Sequence, residues 1–294
     1  MVNRLLLQRF FSILLLAVGS VNWVWPLAEP DLDRAHSLYQ RTQYHQALEI
    51  LEPTQPKTAA SYALLGQCYY MLEDYKKASE AFQKAVDADR GNSVYWDWLG
   101  RAYGKRAETS SFLTAPSYAS KTRQYFEKAV ELDAANLDAA DDLIEYYLEA
   151  PGFLGGGAEK AAQLSERIRS RAPARYHSMQ ARLAEKDKKP AVAEQHWRAA
   201  VEAAPEEAGR LIDLARFLAR QGRHSESDAA FEQAAHLAPD SVQLKFQRAR
   251  TYIDSQRNLD QARALLQEYL NSPLTPDDPP RADAQKLLQK IVKG

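Results

Sequence analysis

From Leu32 onward, apolar residues recur at steps of three and four, the repeat of one helix face, broken only by short polar stretches. Aligning the chain to itself exposes a longer period. A slot for a small residue holds Ala35, Gly66, Gly100, then Ile144 as an exception, then Ala181, Ala215 and Ala249. Successive spacings are 31, 34, 44, 37, 34 and 34 residues, so the underlying period is 34. Three residues beyond the slot stands a bulky residue, Leu38, Tyr69, Tyr103, Tyr147, Leu218 or Tyr252, with Ala184 breaking the rule. A second helix follows in each unit. Its small position holds Ala47, Ala78, Ala161, Ala193, Ser227 and Ala262, followed four residues later by Leu51, Phe82, Ser165, Trp197, Phe231 and Leu266. Ser165 is small where its counterparts are large.

The logic is steric. A small residue on the first helix lets the second approach closely, and a large residue on the second fills the gap. Pro173, Pro205 and Pro239 then end second helices, because proline cannot continue the ladder of hydrogen bonds. The segments YALLGQCYYMLEDYKKASEAFQKAVDAD from Tyr62 and VYWDWLGRAYGK from Val94 resemble the tetratricopeptide repeat family, and the resemblance covers about residues 30–270. It implies an all-α, right-handed superhelical solenoid of about seven helix-turn-helix repeats, with first helices lining the concave face. The expected division is 1–28 as a signal peptide or signal anchor, 29–270 as the repeat array, and 271–294 as a linker and capping helix. Two units are interrupted, by insertions at 104–121 and 150–158. Turns of successive hairpins fall on one edge, so the insertions are expected to be neighbours. Phe112, Leu113, Tyr118, Phe153 and Leu154 either form a contact ledge there or pack on one another.

The resemblance also points the residue after each small slot into the groove: His36, Gln67, Arg101, Glu145, Arg182, Arg216 and Arg250. Leu32, Tyr39 and Tyr70 are expected to join at the first end, Asp97 and Asp141 in the middle, and Ile212, Phe246 and Ile253 at the last end. The groove is therefore polarised. Its later half carries an arginine ladder, Arg182, Arg216 and Arg250, suited to an acidic segment, although Glu185, Asp213 and Asp254 lie within helical reach of these cations. Asp138, Asp141, Asp142, Glu145 and Glu149 run down one helix at steps of three and four, a like-charge arrangement that needs compensation. Arg101 and Arg182 are the expected partners.

Charge as a whole changes little: 38 basic and 39 acidic side chains nearly cancel, so no global field favours nucleic acid. The single cysteine, Cys68, excludes a disulfide framework within the chain and reads as a small buried hydrophobe. Six histidines are scattered over different helices, and no metal-ligand spacing, nucleophile motif or cofactor motif occurs. Gly152 and Gly157 have the outer spacing of a phosphate loop, but Ala158 stands where its lysine belongs.

The first 28 residues differ from the rest. Arg4 and Arg9 precede an apolar run, Phe10 to Val18, and the small residues Gly19 and Ser20, the layout of a secretory signal. Left uncleaved, residues 10–28 are long enough to anchor the chain in the cytoplasmic membrane. Both readings place the repeats outside the cytoplasm, periplasmic or secreted, with membrane contact only through that segment. No cysteine is available near it for lipid attachment. The function expected is a non-enzymatic scaffold or adaptor that binds a peptide or protein segment in its groove, as in an envelope assembly or export complex. The alternative is a structural subunit that self-associates through its convex face and inserted loops.

Overall fold

A computed structural model describes residues 29–55 and 57–293, so the expected signal or anchor lies outside the described residues. Among the described residues the helices pair into seven hairpins. They are α1 (Glu29–Gln40) with α2 (Tyr44–Leu51), α3 (Ala59–Met71) with α4 (Tyr75–Ala88), α5 (Ser93–Thr109) with α6 (Ala115–Leu132), and α7 (Leu137–Glu149) with α8 (Ala158–Ile168). Next come α9 (Pro173–Lys186) with α10 (Pro190–Ala203), α11 (Ala208–Arg220) with α12 (His224–Leu237), and α13 (Val242–Asp254) with α14 (Leu259–Asn271). The last helix, α15 (Arg281–Lys293), packs on α13 and α14. Each hairpin stacks on the next, so the chain forms an all-α solenoid.

The small slots are where the hairpins close. Ala35, Ala181, Ala215 and Ala249 are fully buried. A Cβ added to Gly66 would lie 2.7 Å from the Phe82 ring, and one added to Gly100 only 2.5 Å from Phe126. The aromatic of the second helix thus occupies the space the missing side chain leaves. Thr122 and Phe126 are the buried second-helix pair of the third unit, which the sequence alignment did not reach because the insertion displaces them. In the fourth unit bulk and space change places: Ile144 fills the slot and Ser165 replaces the aromatic, both fully buried. Core clusters span unit boundaries. One joins Phe126 to Leu143, Leu164 and Met179, and another joins Trp197 to Leu214, Phe217 and Leu218. A single hairpin buries only one side, and its neighbours supply the other.

The turns inside the regular hairpins share one geometry. Thr42, Glu73, Lys188, Gly222 and Gln256 all have φ between 51° and 76°, the left-handed region. At each, the next amide reaches back five residues, as Asp74 N to Tyr69 O at 2.9 Å and Lys189 N to Ala184 O at 2.8 Å, closing the helix end. Only one of the five is glycine, so four positions carry the left-handed cost of roughly 1–2 kcal/mol each.

The interrupted units depart from this turn. The insertion expected as a loop over 104–121 is mostly helix, since α5 runs to Thr109 and α6 starts at Ala115, leaving only a short turn. Arg106 holds the extension together. Its guanidinium lies 4.4 Å from the centroid of the Tyr118 ring and 4.9 Å from that of Tyr103, and it donates to Ser79 Oγ at 2.8 Å. In the next unit Gly152–Leu154 makes one 3-10 turn. The amides of Gly155, Gly156 and Gly157 donate to the carbonyls of Gly152, Pro151 and Tyr147, which leaves no free amide cradle for a phosphate.

Two substitutions test the packing rule. Gly100→Ala is expected to lower stability in chemical denaturation by about 1–3 kcal/mol through overpacking against Phe126, a cost larger than the gain of about 1 kcal/mol that alanine brings to a helix. Lys188→Gly is expected to do the reverse, raising stability by about 1 kcal/mol as the left-handed turn is relieved.

Candidate functional site

First helices α5, α7, α9 and α11 present their charged residues to a common face, and ion pairs lace one helix to the next. Arg101 on α5 meets Asp97 of its own helix at 3.0 Å and Asp142 on α7 at 2.5 Å. Its guanidinium also covers Trp98, 4.9 Å from the ring centroid. Arg182 on α9 pairs with Glu145 on α7. The two compensating partners expected for the acidic run are therefore in place, and two more come from α9. Arg175 bridges Asp138 at 2.9 Å and Asp141 at 2.8 Å, and Lys186 lies 3.8 Å from Glu149. Sequence spacing alone does not reveal Arg175, which sits about two helical turns before Arg182 on α9.

Burial sets the protonation of this acidic helix. Asp97 is only 3% exposed, and desolvation pushes its carboxyl up to about 8 despite Arg101, with Asp142 adding to the rise. The Asp142 carboxyl is likewise raised by burial, which Arg101 opposes. Asp141 is pushed up to about 6 by the same desolvation, which Arg175 opposes.

Beyond α9 the balance changes sign. A hollow of about 660 Å³ is lined by Arg182 and Lys186 of α9, Arg210, Arg216 and Arg220 of α11, and the acids Glu149, Glu185 and Asp213. The cations are unequally satisfied. Arg220 binds Glu185 at 2.8 Å, and Trp197 Nε1 donates to the same carboxylate at 2.8 Å. Glu185 is thus committed elsewhere and is not the partner of Arg182 expected from helical reach. Arg216 reaches only Asp213, at 3.6 Å, and Arg250 only Asp254, at 3.7 Å. Burial lowers the Arg216 pKa, and Arg220 and Arg250 nearby act in the same direction, while Asp213 opposes. Asp213 is itself shifted up by burial, which weakens the compensation it offers.

Several residues expected at the groove lie elsewhere. Tyr39 is 5% exposed, packed in the first core with Tyr44 at 5.6 Å between ring centroids. Phe246 is 3% exposed against Tyr269 in the last core, and Ile212 is buried in its own unit. These positions, three before or four after the small slot, turn toward the neighbouring helices rather than the open face. Tyr70 does reach the surface, edge-on to Trp98 at 5.4 Å, and lines a second hollow of about 420 Å³ with Arg101 and Glu145. The insertions do meet, because Leu154 lines this hollow together with Gly104, Ala107 and Ala119. Tyr118 packs inward on Tyr103, whereas Phe112, Leu113 and Phe153 are exposed and do not seal the array.

The structure also pairs two histidines that appear scattered along the sequence. His177 on α9 and His196 on α10 place their Nδ1 atoms 3.0 Å apart, so one donates and the other accepts. Burial lowers both pKa values, and at His196 the charge of its partner adds to the effect. Among the described residues no group of three or more His, Cys, Asp or Glu is placed to hold a metal ion. Cys68 is fully buried and its thiol is pushed up to about 12 by desolvation, which leaves it unreactive.

Stacked hairpins with their first helices along one charged face define an α-solenoid built for contact. Models of the tetratricopeptide repeat family match residues 25–91, 178–241 and 212–279, on either side of the two interrupted units. The chain is a tetratricopeptide repeat protein. No curated protein sequence matches it significantly. A tetratricopeptide repeat protein from Parabacteroides merdae ATCC 43184 is similar in structure, with a TM-score of 0.57 and 13% identity over 90% of this chain and 98% of that one. Human IFIT1, solved as a dimer with PPP-AAAA, gives a TM-score of 0.52 and 17% identity over 90% of this chain and 63% of that one. At these identities the likeness is one of fold.

The Asp97 pair makes a pH-dependent contribution of defined sign. Between about 4 and about 8 the folded chain keeps a proton that the unfolded chain releases, so this contribution falls as pH rises through that window. Asp97→Asn removes the titration while keeping the shape. Its stability relative to the parent is expected to climb steadily from pH 4 to pH 8 in denaturant melts, and a constant difference would contradict the assignment.

Proposed function

We propose that this protein is a non-enzymatic adaptor outside the cytoplasmic membrane, and that the basic half of its groove, along α9, α11 and α13, binds an acidic, extended segment of another protein. The observation that carries this reading is the under-compensated cation pair at the centre of that half. Arg216 and Arg250 sit on equivalent positions of neighbouring first helices, each with one acid at a distance too long for a good hydrogen bond. The Arg250–Asp254 pair is exposed, and such pairs contribute roughly 0–1 kcal/mol; the half-buried Arg216–Asp213 pair is long and poorly matched, so a partner's carboxylates can compete for both cations. The acidic half along α5 and α7 is already neutralised by arginines from both sides, which gives an extended ligand a direction as well as a site.

Placement outside the cytoplasm rests on Arg4, Arg9 and the apolar run behind them. Among the described residues no helix is long and apolar enough to cross a membrane.

Replacing Arg182, Arg216 and Arg250 together with glutamine is expected to leave the melting temperature nearly unchanged while abolishing partner capture and most of its salt sensitivity. Undiminished capture would overturn the groove assignment. Location is tested separately: residues 1–29 fused to a reporter active only outside the cytoplasm should give signal, whereas a soluble, silent fusion in the cytoplasm would contradict export.

A further inference from the structure

The inserted edge of units three and four carries apolar residues that the fold itself does not use. Phe112 is 84% exposed, Leu113 76% and Phe153 82%, the three most exposed large hydrophobic side chains among the described residues. Phe112 and Leu113 cap the α5–α6 extension, and Phe153 stands on the adjoining 3-10 turn. Beside them opens the hollow of about 420 Å³, whose walls include Gly104, Ala107, Ala119, Phe126, Pro151 and Leu154. The same short edge therefore presents a protruding apolar tip and a recess with one apolar wall, whose acids Asp142, Glu108, Glu145 and Glu149 are already paired with Arg101, Lys105, Arg182 and Lys186. The extension that bears the tip is held firmly by Arg106, which stacks on Tyr103 and Tyr118.

We infer that this edge is an interface between two copies of the chain, related by a two-fold axis, in which the Phe112–Leu113 tip of each copy enters the hollow of the other. A two-fold contact requires one patch to complement itself, and a tip next to a recess on one edge meets that requirement. The rim agrees, because it carries both signs: Lys105 pairs with Glu108 at 2.7 Å, and Glu149 lies 3.8 Å from Lys186. A second copy consequently meets no like-charge wall. The basic half of the groove has the opposite character, with cations in excess, and suits a partner of different charge. Each buried aromatic covers roughly 150 Å² or more. Phe112 and Phe153 with Leu113 from each copy, and the walls they meet, reach the roughly 1,000 Å² of a specific interface. The hollow adjoins Tyr70 and Arg101, so dimerisation closes the acidic end of the groove and leaves the arginine ladder open.

The test is the mass of the purified full chain by sedimentation equilibrium over a wide concentration range. The parent should show a monomer–dimer equilibrium. Phe112→Asp removes the tip and Ala119→Trp fills the recess, and each alone should weaken dimerisation roughly a hundredfold or more, as loss of a central interface anchor does. Circular dichroism checks that both variants remain helical. Mixed together, they should form a heterodimer, because one intact tip still meets one intact recess, with affinity between the parent and either variant. A parent that stays monomeric at every concentration overturns the inference, and so does a dimer that neither variant weakens. Two monomeric variants that fail to associate on mixing overturn the reciprocal geometry. Binding of a monomeric parent to phosphatidylglycerol vesicles, lost in Phe112→Asp, overturns it in favour of a lipid surface.

Discussion

Close approach of two helices at one small residue is the constraint on which this molecule rests. Where Gly66 and Gly100 omit a side chain, Phe82 and Phe126 fill the space, and no room remains for even a methyl group. That contact fixes the rotation of each first helix about its own axis. Once rotation is fixed in seven units, every residue at a given offset from the slot faces the same way, and a period of 34 in sequence becomes a row in space. Arg182, Arg216 and Arg250 share a face for this reason alone. The exchange at Ile144 and Ser165 shows that the contact needs conserved volume rather than a fixed identity on either helix.

The row is then shaped by what each cation finds opposite it. On the α5, α7 and α9 side, arginines flank a helix crowded with acids, and burial raises the carboxyl of Asp97 to about 8 and that of Asp142 in the same direction. Between α11 and α13 the acids are sparse and distant, and Arg216 feels Arg220 and Arg250 as repulsive neighbours. One continuous face thus changes from self-neutralised to under-neutralised within two units. Opposed pH responses follow from the same burial. The Asp97 pair stabilises the fold toward acid. The His177–His196 contact, whose pKa values are lowered, is intact above the ordinary histidine range and is lost as pH falls below about 6.5.

The fold was legible in the sequence because its signal is periodic: small slots, bulky followers and terminating prolines repeat often enough to outweigh the exceptions. Arg101 and Arg182 were legible as partners of the acidic helix because equivalent slots on adjacent units are neighbours. What sequence did not reveal depends on contacts without a period. Arg175 lies off the ladder, and His177 and His196 meet across one hairpin. Tyr39 and Phe246 sit on the helix flank that the adjoining helices cover, a flank that lies close to the groove face on a helical wheel. The insertion at 104–121 looked like a loop because it interrupts the repeat, yet alternating tyrosines and Arg106 extend the helices instead.

If the under-neutralised arginines are the recognition surface, they should respond together to a generic acidic chain before any natural partner is found. The most direct measurement follows the side-chain Nε resonances of the arginines by NMR during titration with an unstructured glutamate-rich peptide. The account predicts that Arg216 and Arg250 shift along a common, saturating curve that weakens as salt is added, while Arg101, Arg175 and Arg182, held by Asp97, Asp142, Asp138, Asp141 and Glu145, stay in place. Equal shifts across all surface arginines, or none at Arg216, would contradict it.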